Sequence, residues 1–321
     1  MNLFDEIRNE CREVAEGAAF VSIDYARLGD YARSLGGAEL AAQELDPRVH
    51  FLGHGERTLA FIVILDSISF GSGWFPHLRK RPGKSGSLTL ASSLRDAFDA
   101  GEDFSAERLS RITTDDCARL FGQDPQAMPV KELLGKFAQA FNDLGRLLLE
   151  RYHGSYANLV ESSAESAQAL VHALRQMPFF EDVQTWHGRR VPFYKRAQLT
   201  AATLALAFDH DRWGRFRDLD ELTVFADNLV PHVLRVDGIL LYEESLAVRI
   251  DREELIPAGS PEEIEIRACA LHAVELITVA LRKMGRHATA MNVDYLLFWN
   301  RGQTPAYKSA RPRHRTRTVF Y

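Results

Sequence analysis

Apolar residues recur at helical spacing along much of the chain. From Val130 they fall at Leu133, Leu134, Phe137, Phe141, Leu144 and Leu148. Steps of three and four place them on one helix face. Pro129 stands just ahead, where a missing N–H costs nothing. A second stripe runs through Ile266, Ala270, Ala273, Val274, Ile277 and Leu281, and Gly285 suits its end. Ser260-Pro261-Glu262-Glu263 reads as its start, with a capping hydroxyl, a proline in the first turn and a carboxylate three residues on. Residues 163–174 form a shorter helical candidate that stops before Pro178, and residues 200–208 continue a helix begun near Lys195.

Strand signals are few. Val21-Ser22-Ile23 is short, and the apolar run from Leu59 to Leu65 suits a buried strand or a buried helix equally. Loops are expected at residues 71–87 (four Gly, two Pro and a basic cluster), at residues 209–217 and in the last twenty residues. No repeat and no long linker divides the chain. The pattern predicts a mainly α fold, a single domain over residues 1–321 with a cleft between an N-terminal/central helical lobe and a C-terminal one.

The bulk numbers narrow the function classes. A chain of 321 residues supports a large core, and 46% hydrophobic with 26% charged residues is ordinary for a globular protein. A net charge of −5 argues against coating nucleic acid by bulk electrostatics, so no stable nucleic-acid complex is expected. Three scattered cysteines, Cys11, Cys117 and Cys269, read as reduced thiols. The longest apolar run is too short for a bilayer, and no basic-then-apolar leader is visible. The cytoplasm is the expected compartment, with no membrane partner.

Several familiar motifs fail on inspection. Gly83-Lys84-Ser85 ends like a phosphate-binding loop, but Leu78 stands where its first glycine belongs. His50 and His54 are four apart, yet Gly53 and Gly55 oppose a helix there, and no other histidine pattern suits a metal. No Gly-x-Ser-x-Gly elbow occurs. The basic run from Arg311 to Arg317 suits either a solvated tail or a phosphate clamp, and the apolar ending Val319-Phe320-Tyr321 favours a docked tail.

Two charges stand at the edges of apolar segments, Lys195 within Phe193-Tyr194-Lys195-Arg196-Ala197-Gln198 and Asp227 within Phe225-Ala226-Asp227-Asn228. Alone they are unspecific, since Lys195 reads as a surface lysine and Asp227 as the cap of a helix running toward Val236. Their context is more specific. Asp66-Ser67-Ile68-Ser69-Phe70 with Trp74 and Pro76, the two segments just named with Pro231, residues 263–268 with Ala273-Val274-Glu275, Asp294-Tyr295 with Trp299, and His314-Arg315-Thr316-Arg317 follow in order. Together they resemble the queuosine salvage proteins, read as queuosine 5′-phosphate N-glycosylase/hydrolases.

That resemblance implies a fold similar to the helix-hairpin-helix DNA glycosylases, with few or short strands, and a helix for residues 59–65. It implies hydrolysis of the N-glycosidic bond of queuosine 5′-monophosphate, a small-molecule substrate, to queuine and ribose 5-phosphate, with no metal or organic cofactor. Such a cleavage builds positive charge on the sugar, which a carboxylate at the anomeric carbon stabilises. Asp227 is the expected catalytic carboxylate. Lys195 is expected either to pair with the 5′-phosphate or to hold Asp227 ionised and oriented. The base is a 7-deazapurine, so protonation at N7 is unavailable. Asp294 is expected to accept its N–H donors, Phe225 and Tyr295 to stack on it, and His50 to hydrogen-bond its polar parts. Asp66 suits a supporting partner or a purely structural bond. The competing functions are a DNA or nucleoside glycosylase of other specificity, and a non-catalytic queuine- or tRNA-binding protein.

Overall fold

Helices dominate the computed structural model, which describes residues 2–36, 40 and 43–321. The contacts gather into two units. The first comprises Met1–Gln43, Asp182–Lys195 and Asp220–Arg317; the second comprises Glu44–Glu181, Arg196–Leu219 and Thr318–Tyr321.

In the first unit the helix Pro261–Lys283 is the central element. Ser260 caps it by accepting the amide of Glu263, with Pro261 in its first turn. Helices Leu3–Gly17 and Leu28–Ser34 pack on it. Two short antiparallel sheets join them: β1 (Val21–Ile23) pairs with β4 (Leu240–Tyr242), and β2 (Val183–Trp186) with β3 (Arg189–Pro192). Glu265, fully buried on the central helix, locks both sheets. It accepts the Phe20 amide at 2.6 Å ahead of β1 and the Trp186 indole at 3.2 Å in β2. A buried carboxylate is tolerated there because donors satisfy both its oxygens.

In the second unit the helix Val130–Tyr152 buries the apolar stripe read from its spacing. Helices Ala106–Leu109 and Thr114–Phe121 lie against it, and a side chain at Gly145 would strike the backbone of Ser110. The run Leu59–Leu65 is helical within Glu56–Ser67, which ends against a buried arginine. Arg196 donates to the carbonyls of Asp66 at 3.3 Å and Ser67 at 2.6 Å and also bonds the Phe179 carbonyl. Its guanidinium lies over the rings of Phe70 and Phe180. Arg196 therefore closes a helix C-terminus, whose free carbonyls want a cation.

Two local expectations change, and one element was not foreseen. Residues 163–174 are not one helix: the helix spans Ala167–Leu174, after Ala164 and Glu165 take left-handed φ of 49° and 62°. Asp218 accepts the amides of Ala167 and Gln168, fixing that later start. The β2–β3 hairpin carried no strong signal because its two-residue turn is His187-Gly188, with φ of 47° and 79°, rather than Asn-Gly. The last twenty residues contain the helix Pro305–Ala310, too short to show a period.

Candidate active site

The first unit brings Asp227, Asp294 and Lys195 into one electrostatic group. Asp227 precedes the helix Leu229–Val236, and its Oδ1 accepts the amides of Leu229 at 2.7 Å and Val230 at 3.2 Å. Pro231 follows without an N–H to offer. The plain reading of Asp227 as a helix cap is thus met, and both bonds fall on one carboxylate oxygen. The helix N-terminus favours the negative charge.

Asp294 lies in the last turn of the short helix Ala290–Tyr295, and its Oδ1 accepts the Phe225 amide at 2.9 Å. The residue is 6% exposed. Burial raises its pKa well above the carboxylate range, and the nearby charge of Asp227 raises it further. The Phe225 amide and the charge of Lys195 act in the opposite sense without reversing the shift.

Lys195 is 8% exposed and opens the helix Lys195–Ala207. Tyr194, immediately before it, has φ of 47°, a left-handed conformation that is costly for a bulky residue. Asp182 holds it there. The Asp182 carbonyl accepts the amides of Phe193 at 2.9 Å and Tyr194 at 3.3 Å, and its carboxylate accepts the Lys195 amide at 3.2 Å. The Tyr194 ring is buried, and its hydroxyl accepts a 2.6 Å bond from Arg190.

Arg267, fully buried on the central helix, grips this turn and the Asp227 segment at once. Its guanidinium bonds both oxygens of Asp182, at 3.0 and 2.6 Å, while its Nε donates to the Ala226 carbonyl at 3.0 Å. The group lies 3.9 Å from the Phe193 ring centroid, and Glu263 stands 3.7 Å away. The planar fork suits this three-way grip; a lysine cannot reproduce it.

The basic run ahead of the C-terminus is docked. Arg235 reaches the Pro312 carbonyl at 3.5 Å, Asn228 reaches the His314 carbonyl at 3.5 Å, and the Ile256 amide donates to Arg315 O at 2.8 Å. His314 is buried, and burial together with Arg267, His232, Arg313 and Arg235 holds its imidazole down at about 3. It is neutral at physiological pH. Arg313 is partly buried, and the charge of Asp227 acts on it.

The aromatic expectations are placed as follows. Phe225 is 7% exposed. Tyr295 is half-buried and opens onto a π-helical turn, Leu296–Gly302, with its ring 6.4 Å from that of Trp299. The wide turn absorbs an additional residue between Tyr295 and the following chain, and such turns recur at functional sites. His50 belongs to the second unit. It is buried edge-on to Phe61, its Nδ1 is 3.0 Å from the Asp46 carbonyl, and burial lowers its pKa. Its expected part in base recognition rests on the sequence resemblance. Asp66 also lies in the second unit, where its Oδ1 accepts from Ser69 at 3.4 Å. Among the described residues, no group of three or more His, Cys, Asp or Glu is arranged to hold a metal ion. No described helix is long and apolar enough to cross a membrane.

Sequence reasoning missed Asp182 and Arg267, which tie the turn before Lys195 to the Asp227 segment, and held Arg313 only as one member of the basic run. Arg267 lies inside one of the segments that carry the family resemblance, but helical spacing alone could not distinguish it from an exposed charge.

The family model described as "Queuosine salvage protein" matches residues 49–321. The chain belongs to the queuosine salvage protein family. Relatives of this family match over most of its length. A protein of Sphaerobacter thermophilus is 37% identical over 316 residues, covering 97% of this chain and 96% of its own. One of Bos taurus is 30% identical, covering 98% of each chain. One of Dictyostelium discoideum is 31% identical, covering 83% of this chain and 79% of its own. Each of the three is named queuosine 5′-phosphate N-glycosylase/hydrolase.

Proposed function

We propose that this chain hydrolyses the N-glycosidic bond of queuosine 5′-phosphate, with Asp227 as the carboxylate at the anomeric carbon. The observation that carries the residue assignment is the Asp227 carboxylate, held by two amides at a helix N-terminus beside a second carboxyl, Asp294. Asp294 is driven toward its neutral form first by burial and then by the charge of Asp227.

In the reaction the bond between the base nitrogen and C1′ breaks, and its electron pair leaves with the base. Positive charge gathers on C1′ and the ring oxygen. Asp227, held by two amides through Oδ1, stabilises that charge in a setting that needs little reorganisation. Water adds to C1′ and gives up a proton, and the base takes one, so the products are free base and ribose 5-phosphate.

Asp294 meets the base. The guanine-like edge brings N–H donors and the queuine side chain brings an ammonium, and both favour a carboxylate over a carboxylic acid. Entry of the base therefore works against the neutral form that burial favours at Asp294. The Phe225 amide bonds Asp294 and Tyr295 follows it in the chain, and their rings supply apolar faces for stacking. Lys195 offsets the negative charge of the carboxyl pair, which the opposing effect of its charge on Asp294 supports.

Incubation with queuosine 5′-phosphate, queuosine nucleoside and queuosine-containing tRNA tests this reading. Release of queuine from the nucleotide is expected. Release from none of the three contradicts it.

A further inference from the structure

Once Lys195 is assigned to the carboxyl pair, the 5′-phosphate still needs a cation. The phosphate and the anomeric carbon belong to one ribose. A cation for the first must therefore lie within a sugar's width of the carboxylate for the second, without being consumed by it. We propose that Arg313 is that cation, the residue that selects the phosphorylated substrate.

Three observations place it. Its backbone is pinned on both sides against the helix that Asp227 caps, through Pro312 O to Arg235 and His314 O to Asn228, the residue after Asp227. The charge of Asp227 acts on Arg313 and favours its charged form, yet among the described residues no carboxylate forms an ion pair with it. Two nearby arginines differ on this point: Arg315 of the same run is paired with Glu253 at 2.7 Å, and Arg235 on the helix after Asp227 with Asp251 at 3.0 Å. Burial also works against the Arg313 charge. An unpaired, partly buried guanidinium gains most from a doubly charged oxyanion, whose oxygens match its parallel N–H groups.

The inference rests on the proposed nucleotide hydrolysis. Its test compares kcat/KM on queuosine 5′-phosphate and on queuosine nucleoside for wild type and Arg313→Gln. The nucleotide-to-nucleoside ratio is expected to fall roughly 10- to 100-fold in the variant, the worth of charge-assisted bonds to phosphate. Arg313→Lys, which keeps the charge but not the fork, is expected to fall between the two. Inhibition by ribose 5-phosphate, measured against ribose, is expected to weaken in step. Release of queuine by the wild type with an unchanged ratio in both variants overturns the phosphate assignment alone. No release by the wild type overturns the function on which it rests.

Discussion

Arg267 and Asp182 form a fully buried two-bond pair, at 3.0 and 2.6 Å, that ties the turn before Lys195 to the segment bearing Asp227. The tie works because the guanidinium has a third hand, the Nε bond to the Ala226 carbonyl. Neither Arg267 nor Asp182 is assigned a contact with substrate. Their part is to hold the two segments in register.

Arg267→Met leaves Asp182 buried and unpaired, and it is expected to cost roughly 3–5 kcal/mol of stability. Arg267→Lys is the gentler probe. It keeps the charge and loses the fork, so it is expected to lower kcat more than it changes KM, with a smaller loss of melting temperature. A variant with wild-type kcat and only a lower melting temperature reduces Arg267 to a structural role.

Asp294 carries a stability signature. Its folded pKa lies above its unfolded value near about 4, so the folded protein binds the proton more tightly than the unfolded chain. The associated stability is present at low pH and is lost as pH rises through the folded value. Asp294→Asn keeps an oxygen for the Phe225 amide and has no proton to lose. Its melting temperature relative to wild type is expected to climb as pH is raised from about 4 to 8. A flat difference contradicts the assignment.

The same carboxyl predicts proton release on binding. Calorimetry of queuine binding in buffers of different ionisation enthalpy is expected to show net proton release at pH values below the raised pKa of Asp294, abolished in Asp294→Asn. Identical enthalpies in all buffers mean that the base does not ionise Asp294.

His314 acts in the opposite direction. Its folded pKa, about 3, lies below the ordinary histidine value of 6.5. The stability tied to its neutral form is complete above the unfolded value and is lost as pH falls toward the folded one, at roughly 1.4 kcal/mol per pH unit across that window. His314→Gln is expected to flatten the acid limb of stability measured by denaturant midpoint. An unchanged limb places the acid sensitivity elsewhere.

The long helices were legible because their apolar stripes are long and their signals agree: Ser260, Pro261 and Gly285 bracket one, and Pro129 precedes the other. The short elements were not. A His-Gly turn, a helix of six residues and a start fixed by the distant Asp218 leave no local period. The site was legible in part. Asp227, Lys195 and Asp294 stand at ends of apolar segments, where a charge is conspicuous. Arg267 sits inside a helical stripe and Asp182 in a loop, and only the fold shows that they meet. Arg313 was visible as one member of a basic run, but that it has no ion pair among the described residues is a property of three dimensions.

The central claim is that Asp227 stabilises the sugar cation. Asp227→Asn tests it most directly, because the amide oxygen can still accept the Leu229 and Val230 amides and so preserve the helix cap. Queuine release from queuosine 5′-phosphate, followed in a variant shown to be folded and to bind queuine, is expected to fall about 1,000-fold or more. A folded Asp227→Asn variant that turns over at the wild-type rate contradicts the account.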